Sequence, residues 1–281
     1  MHVHASHRFP EDPILLATLH WNLSPELFRL GPLAVRWYGL LFMGAFMLGF
    51  WLMNRVYLRE QRKQEDLDRL LIVTMAGTVI GARLGHCLFY DPAWYLANPL
   101  QILKVWQGGL ASHGAAVGIV LSTWIFSRSR PDQTLLWLLD RLVVVIALAG
   151  MLIRMGNFFN SEIVGIPTTV PWAVVFERVD ALPRHPVQLY ESICYGLIFV
   201  LLFGLLERHW QRMVPGQLLG LFLVLVFGVR FVLEFFKTSQ TDFSMPGPLS
   251  MGQWLSIPAV AIGLWLIQRA RRAAGVIQPN S

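Results

Sequence analysis

Between Arg154 and Gly165 the chain reads Arg-Met-Gly-Asn-Phe-Phe-Asn-Ser-Glu-Ile-Val-Gly, so an arginine, two asparagines and a glutamate follow directly on the apolar run Leu142–Ile153. An ionisable group at the end of a membrane-spanning run is costly unless it snorkels or pairs, which makes Arg154 a functional candidate. Gly156 and Gly165 are expected either to take up φ > 0 or to let the backbone approach an anionic head group. Arg83 and Arg230 also lie in apolar runs. A planar fork of donors that is always charged suits phosphate, while the simpler role is pairing with Glu162, Glu191 or Glu234 to hold helices together. Glu234 follows Arg230 by one helical turn and is expected to pair with it and orient it.

His113 begins a run of small residues, Ala111-Ser112-His113-Gly114-Ala115-Ala116-Val117-Gly118, where helices can pack closely. Histidine is the side chain best suited to accept a proton near neutral pH; a hydrogen-bonded structural role is the alternative. In Leu182-Pro183-Arg184-His185-Pro186-Val187-Gln188-Leu189-Tyr190-Glu191 two prolines bracket Arg-His before a helix. That is a rigid entry turn, and it also offers Arg184, His185, Gln188, Tyr190 and Glu191 to a site. Trp37, Tyr38 and Trp172 read as interfacial aromatics. No Ser-His-Asp triad, phosphate-binding glycine loop or metal cage is legible. An arginine cluster, a candidate base and access to lipid suit transfer chemistry on a phospholipid.

The elements that must position these groups are membrane helices. Of 281 residues 55% are hydrophobic and 14% charged, with a mean hydropathy of +0.51, against about a quarter charged in a soluble domain. The expected class is all-α: an integral membrane bundle of about seven spans near residues 38–56, 70–90, 110–126, 135–153, 189–206, 218–236 and 253–267. Residues 1–37 read as an interfacial segment, with an untethered tail carrying His2, His4 and His7 and short amphipathic pieces at Ile14–Leu19 and Leu27–Leu33. Residues 38–268 form the spanning domain, with loops at 91–109, 154–187 and 237–252, and residues 269–281 a basic tail.

The net charge of +6 sits largely in alternate loops, after the first, third, fifth and seventh spans. Positive charge inside puts the N-terminus outside and the C-terminus in the cytoplasm, and speaks against a nucleic-acid partner. Tyr38, His113, Arg154, Tyr190, Glu191 and Gln253, with Arg83 and Arg230, then fall in the outer half of the membrane. Cys87 and Cys194 lie in apolar runs and read as packing residues, and no cleavable signal peptide is expected.

Seven ordered blocks between Gly31 and Arg271 resemble the bacterial prolipoprotein diacylglyceryl transferases. They are Arg36-Trp37-Tyr38-Gly39-Leu40, Gly81-Ala82-Arg83-Leu84-Gly85, Gly108-Gly109-Leu110-Ala111-Ser112-His113-Gly114, the Arg154–Gly165 stretch, the Leu182–Glu191 stretch, Arg230-Phe231-Val232-Leu233-Glu234-Phe235-Phe236 and Ser250-Met251-Gly252-Gln253. The resemblance implies an inner-membrane enzyme. It would move diacylglycerol from phosphatidylglycerol to the lipobox cysteine of a prolipoprotein signal peptide, with no metal or cofactor. By position it implies that Arg154 and Arg230 bind the lipid phosphate, that His113 and Tyr38 serve catalysis, and that Asn157, Asn160, Glu162, Gly165, Arg83 and Glu234 complete the phospholipid site. Arg184, His185, Gln188, Tyr190, Glu191 and Gln253 would support the precursor and the loops.

The family usually carries glycine where this chain has Ile153, Ser161 and Ala115, an aromatic at Val164 and often arginine at Lys237. Its insertion after the signature is shorter here. A phospholipid-binding paralogue with altered or no transfer is therefore the second reading. A transporter ranks below both, because polar groups in the inner half are few.

Overall fold

The computed structural model describes residues 19–31, 33–105, 108–238 and 249–277. Seven apolar helices carry the fold: α1 (Trp37–Arg59), α2 (Gln64–Phe89), α4 (Ser112–Ser127), α5 (Leu135–Asn160), α6 (Val187–His209), α7 (Gln217–Leu233) and α8 (Met251–Ile277), with a short α3 (Pro92–Ala97) between α2 and α4. Six are long and apolar enough to cross a membrane. The third expected span, α4, has 16 residues. At about 1.5 Å per residue it falls short of the roughly 30 Å hydrocarbon layer.

α5 is the centre, in contact with α1, α4, α6 and α7. α4 is laid along α2, where Gly77, Gly81 and Gly85 face Gly114, Gly118 and Ser122. A Cβ on Gly85 would stand 2.7 Å from the Gly114 Cα, so the backbones touch and only glycine fits. α7 and α8 meet in the same way at Gly220 and Gly263. In lipid, where apolar surface gains nothing by moving from tails to protein, such contacts and buried polar ties hold helices together.

Polar ties also hold the end of the bundle opposite Asn160, which corrects the expectation that polar groups there are few. Arg141 is paired with Glu60 at 2.8 Å, both nearly inaccessible, and Trp137 Nε1 donates to the same carboxylate. Glu207 receives Arg59 at 2.8 Å and Arg55 at 3.0 Å. Asp140, fully buried, accepts from the backbone N–H groups of Gly216 at 2.7 Å and Leu219 at 2.8 Å, capping α7 from another helix. Asp140 and Arg141 sit inside the fourth apolar run, where the surrounding leucines and valines hide them from a hydropathy reading.

Two small sheets cover the Asn160 end, and the all-helical reading did not include them. β1 (Leu19–Trp21) pairs in parallel with β4 (Val174–Phe176), which pairs antiparallel with β5 (Pro183–Arg184). β2 (Glu26–Leu30) and β3 (Leu33–Arg36) form a hairpin in place of the expected amphipathic piece at Leu27–Leu33. Strands this short carry too few residues for period-two alternation to show. Trp21, Phe158, Val164, Val174 and Phe176 pack into a core that seats the sheet on the last turns of α5.

The tail histidines and most of Ile14–Leu19 lie outside the described residues, as do 106–107, 239–248 and 278–281. The basic tail is helical in its described part, since α8 continues to Ile277.

Asp140→Ala leaves two N–H groups of α7 without acceptors in a buried position. We expect a loss of about 1–3 kcal/mol of stability, read as a lower thermal midpoint in detergent. An unchanged midpoint would remove the capping role.

Candidate functional site

The signature is the end of a helix, not a loop. α5 runs through Arg154 and Asn157 to Asn160 and closes on Ser161, whose left-handed φ of 56° turns the chain so that the Glu162 N–H reaches back to the Asn157 carbonyl at 2.9 Å. Ile163 also has φ of 57°. The positive φ values thus fall on Ser161 and Ile163, while Gly156 and Gly165 serve close contact. A Cβ on Gly156 would lie 2.7 Å from the Tyr38 ring, and one on Gly165 would lie 2.5 Å from the His185 carbonyl and 2.8 Å from that of Phe236.

From Arg154 a chain of charges crosses the bundle. Its Nε stands 2.9 Å from Oε2 of Glu191, a fully buried carboxylate on α6. That oxygen has no aligned hydrogen bond, so charge rather than directional bonding holds the guanidinium there. Lys237 Nζ lies 2.9 Å from the other Glu191 oxygen and 3.1 Å from Glu234 Oε2. Arg230 belongs to the same neighbourhood: the Tyr195 hydroxyl lies in the field of Arg154, Arg230 and Glu191. Among the described residues no carboxylate pairs with Arg230. The expected Arg230–Glu234 pair is absent because α7 ends at Leu233, the chain tightens into a 3₁₀ turn over Glu234–Phe236, and Lys237 takes the carboxylate.

On the other side of Arg154, Asn157 is a relay. Its Oδ1 accepts from Arg154 Nη1 at 3.2 Å and its Nδ2 donates to Glu162 at 2.9 Å, while Asn160 donates to the other Glu162 oxygen at 3.1 Å. Tyr38, packed on Gly156, has Glu162 and Arg154 as its charged neighbours. Gln188, fully buried, donates to the Glu162 carbonyl at 2.6 Å. Tyr38, Arg154, Asn157, Asn160, Glu162, Gln188, Glu191, Arg230, Glu234 and Lys237 thus belong to one connected region.

Gly165 is where three segments cross. Its N–H donates to the His185 carbonyl, Arg184 Nη1 donates to its own carbonyl at 2.9 Å, and Ile166 N–H reaches Phe236 O at 2.9 Å. This junction sets Lys237, which bridges Gly165 as an isolated β pair. Arg184 is otherwise bound to Asp180, and His185 Nδ1 lies 3.1 Å from the Tyr190 hydroxyl that Trp172 Nε1 also reaches at 2.7 Å. Gln253 builds a reciprocal cap with Ser250 at the start of α8 and ties it to Phe231 O. These residues are supports.

Arg83 is not brought to the cluster. It is nearly buried and donates to the carbonyls of Gln101, Ile102, Gly108 and Gly109, stacking over Tyr95. It clamps the segment that leads into α4. His113, on the first turn of α4, packs against Phe89 and Tyr90, and its Nε2 is buried without a partner. Among the described residues no hydrogen bond joins His113 to Arg154 or Tyr38. The sequence reading missed Tyr195, one helical turn after Glu191; that spacing was the available signal. It had noted Lys237 only as a replacement for arginine.

Outside the spans, hydrogen bonds from Arg184 hold the Asp180 carboxyl below its usual range, and burial lowers the His185 imidazole from its ordinary value. The unfolded chain therefore binds both protons first, so stability rises with pH through each window. For His185 the window lies just below 6.5 and for Asp180 just below 3.8. Hydrogen exchange of residues 164–185, corrected for its intrinsic pH dependence, should rise on acidification in two steps, with Asp180→Asn removing the lower one. A single step unaltered by that substitution would contradict the assignment.

Residues 25–269 match the family model described as prolipoprotein diacylglyceryl transferase. The chain is similar to proteins named phosphatidylglycerol–prolipoprotein diacylglyceryl transferase. It is 53% identical to that of Chloroherpeton thalassium, with 91% of this chain and 96% of the relative covered. It is 53% identical to that of Tolumonas auensis, covering 89% and 96%, and 42% identical to that of Porphyromonas gingivalis, covering 91% and 96%. The match runs through the β2–β3 hairpin, the Arg154 helix and the Lys237 junction, and the chain belongs to the prolipoprotein diacylglyceryl transferase family.

Proposed function

We propose that this protein transfers the diacylglyceryl group of phosphatidylglycerol to the thiol of a prolipoprotein cysteine, in the lipobox of the signal peptide. The observation that carries the reading is Arg230: a guanidinium beside the Arg154–Glu191–Lys237–Glu234 chain with no carboxylate of its own among the described residues. Arg154 and Lys237 each stand at ion-pair distance from a carboxylate and Arg230 does not among the described residues, and a partly desolvated cation without a counter-charge is matched by an anion that arrives with the substrate. A lipid phosphate supplies it.

In the reaction the cysteine sulfur attacks the glycerol carbon that carries the phosphate ester. The carbon–sulfur bond forms as the carbon–oxygen bond breaks, and glycerol phosphate leaves with the electron pair. Arg154 and Arg230 stabilise the charge growing on the leaving phosphate. The thiol proton must be taken up, since the thiolate is the nucleophile. His113, with a buried ring nitrogen that no described residue engages, is the proposed acceptor. Tyr38 borders the signature helix at Gly156 and faces the lipid side of Arg154.

The basic residues after alternate spans support an inner-membrane orientation with the Asn160 end toward the periplasm. The binding-only paralogue rested on Ile153, Ser161 and Ala115. Ser161 keeps the left-handed helix end that glycine would adopt and closes the same backbone bond, so that departure preserves the site's geometry.

Complementation of a strain depleted of its own diacylglyceryl transferase, with lipidation followed by gel shift, tests the function. The wild-type chain should restore growth and lipidated product. Arg154→Ala and Arg230→Ala should each lower the transfer rate by about 10²-fold or more in membranes holding equal amounts of inserted protein. Normal transfer by both variants would sink the phosphate assignment, and no transfer by well-inserted wild type would favour the binding-only reading.

A further inference from the structure

A second polar site lies on the water side of the signature. An open cleft of about 310 Å³ lies where the Ser24–Glu26 turn, the end of β3, the last residues of α5 and the segment after β4 meet, lined among others by Ser24, Glu26, Arg36, Asn160, Glu162 and Arg178. That volume is at the lower end for small-molecule sites. Its two arginines are poorly neutralised. Glu26 is held by Arg29 at 2.8 Å, Arg36 stands 4.0 Å from the same oxygen, and among the described residues no carboxylate lies within ion-pair distance of Arg178. The same lining offers acceptors. The Glu162 oxygens each receive one amide N–H and keep further lone pairs, and Asn160 Oδ1 is buried with no donor among the described residues. Two guanidinium groups in one cavity with a carboxylate and an unengaged amide oxygen match a phosphate ester whose other end carries hydroxyl groups.

We propose that this cavity binds a glycerol phosphoester, with phosphate on Arg36 and Arg178 and the glycerol hydroxyls donating to Glu162 and Asn160. The inference rests on the proposed transferase reading and extends it: Glu162 is joined through Asn157 to Arg154, so the cavity is the next polar stop outside the phosphate cluster. The ester is either the head group of an incoming lipid, held here before its phosphate passes on to Arg154 and Arg230, or the glycerol phosphate released by transfer.

Purified protein in detergent without phosphatidylglycerol is titrated with sn-glycerol phosphate, ethyl phosphate and inorganic phosphate, and protein in nanodiscs of phosphatidylglycerol is assayed for its apparent KM. The same measurements are made on Arg36→Gln, Arg178→Gln and the double variant. Both side chains are exposed, so the core is not disturbed, and Arg178→Lys serves where the glutamine variant fails to fold. Glycerol phosphate should bind several-fold more tightly than ethyl phosphate, which lacks the hydroxyls, and the double variant should weaken it about tenfold. A loss seen with the free ester identifies the released product as a ligand. A loss confined to a raised KM for the lipid identifies the head group. Equal affinity and equal KM in wild type and double variant overturn the proposal. A transfer assay on the same preparations separates the two readings: transfer with arginine-independent binding rejects the cavity alone, and arginine-dependent binding without transfer rejects the transferase alone.

Discussion

The buried carboxylate of Glu191 is the constraint on which the site depends. A fully inaccessible charge inside a membrane helix is tolerable only with close opposite charge, and here α5 supplies Arg154 while the segment after α7 supplies Lys237. One side chain on α6 thereby fixes the separation of three parts of the chain. The attraction is strong because little water screens it, yet the Arg154 contact is not aligned as a hydrogen bond. Arg154 spends one aligned hydrogen bond on Asn157, and its remaining N–H groups can turn toward an anion. That combination, fixed in place but unsaturated in hydrogen bonding, is what a phosphate-binding arginine requires.

The same economy appears in the last turns of α5. Continuing the helix to Asn160 puts Arg154 and Asn157 on successive levels of one face, and reversing the chain at Ser161 brings Glu162 back under Asn157. Phe158 and Phe159 on the adjoining face pack against Trp21 and Trp37, so the N-terminal strand and the start of α1 anchor this helix end. The small sheets are therefore part of the site's support.

Much of the bundle was legible because a membrane imposes one dominant signal. The run read as 189–206 is α6, and the run read as 218–236 covers α7 and its closing 3₁₀ turn. What stayed hidden was hidden for physical reasons. Asp140 and Arg141 are single polar residues diluted by apolar neighbours, and only the approach of Glu60 and the α7 N-terminus shows why they are tolerated. The β1–β4 pairing joins strands about 150 positions apart in sequence, and no local pattern announces such a partner. Gly156 and Gly165 were expected to take positive φ or to admit a head group, and each instead admits protein atoms, the Tyr38 ring at one and the His185 and Phe236 carbonyls at the other. Their use could not be read, because a glycine that admits a neighbouring ring and a glycine that takes positive φ look alike in a sequence.

The arginines make the same point with function at stake. Arg83, Arg141, Arg154 and Arg230 all stand in apolar runs, and residue type alone ranks them equally. Their surroundings do not. Arg83 is consumed by four backbone carbonyls and Arg141 by Glu60 and the Trp137 carbonyl, so both are committed to holding the chain. Arg154 is paired but under-bonded, and Arg230 has no described carboxylate at all. A guanidinium satisfied by its own protein has nothing left for a ligand, whereas one left short of partners in a desolvated place destabilises the empty site and is relieved when an anion binds. That ordering is why Arg230 and Arg154 are the arginines proposed for a phosphate, while Arg83 holds the segment that leads into α4.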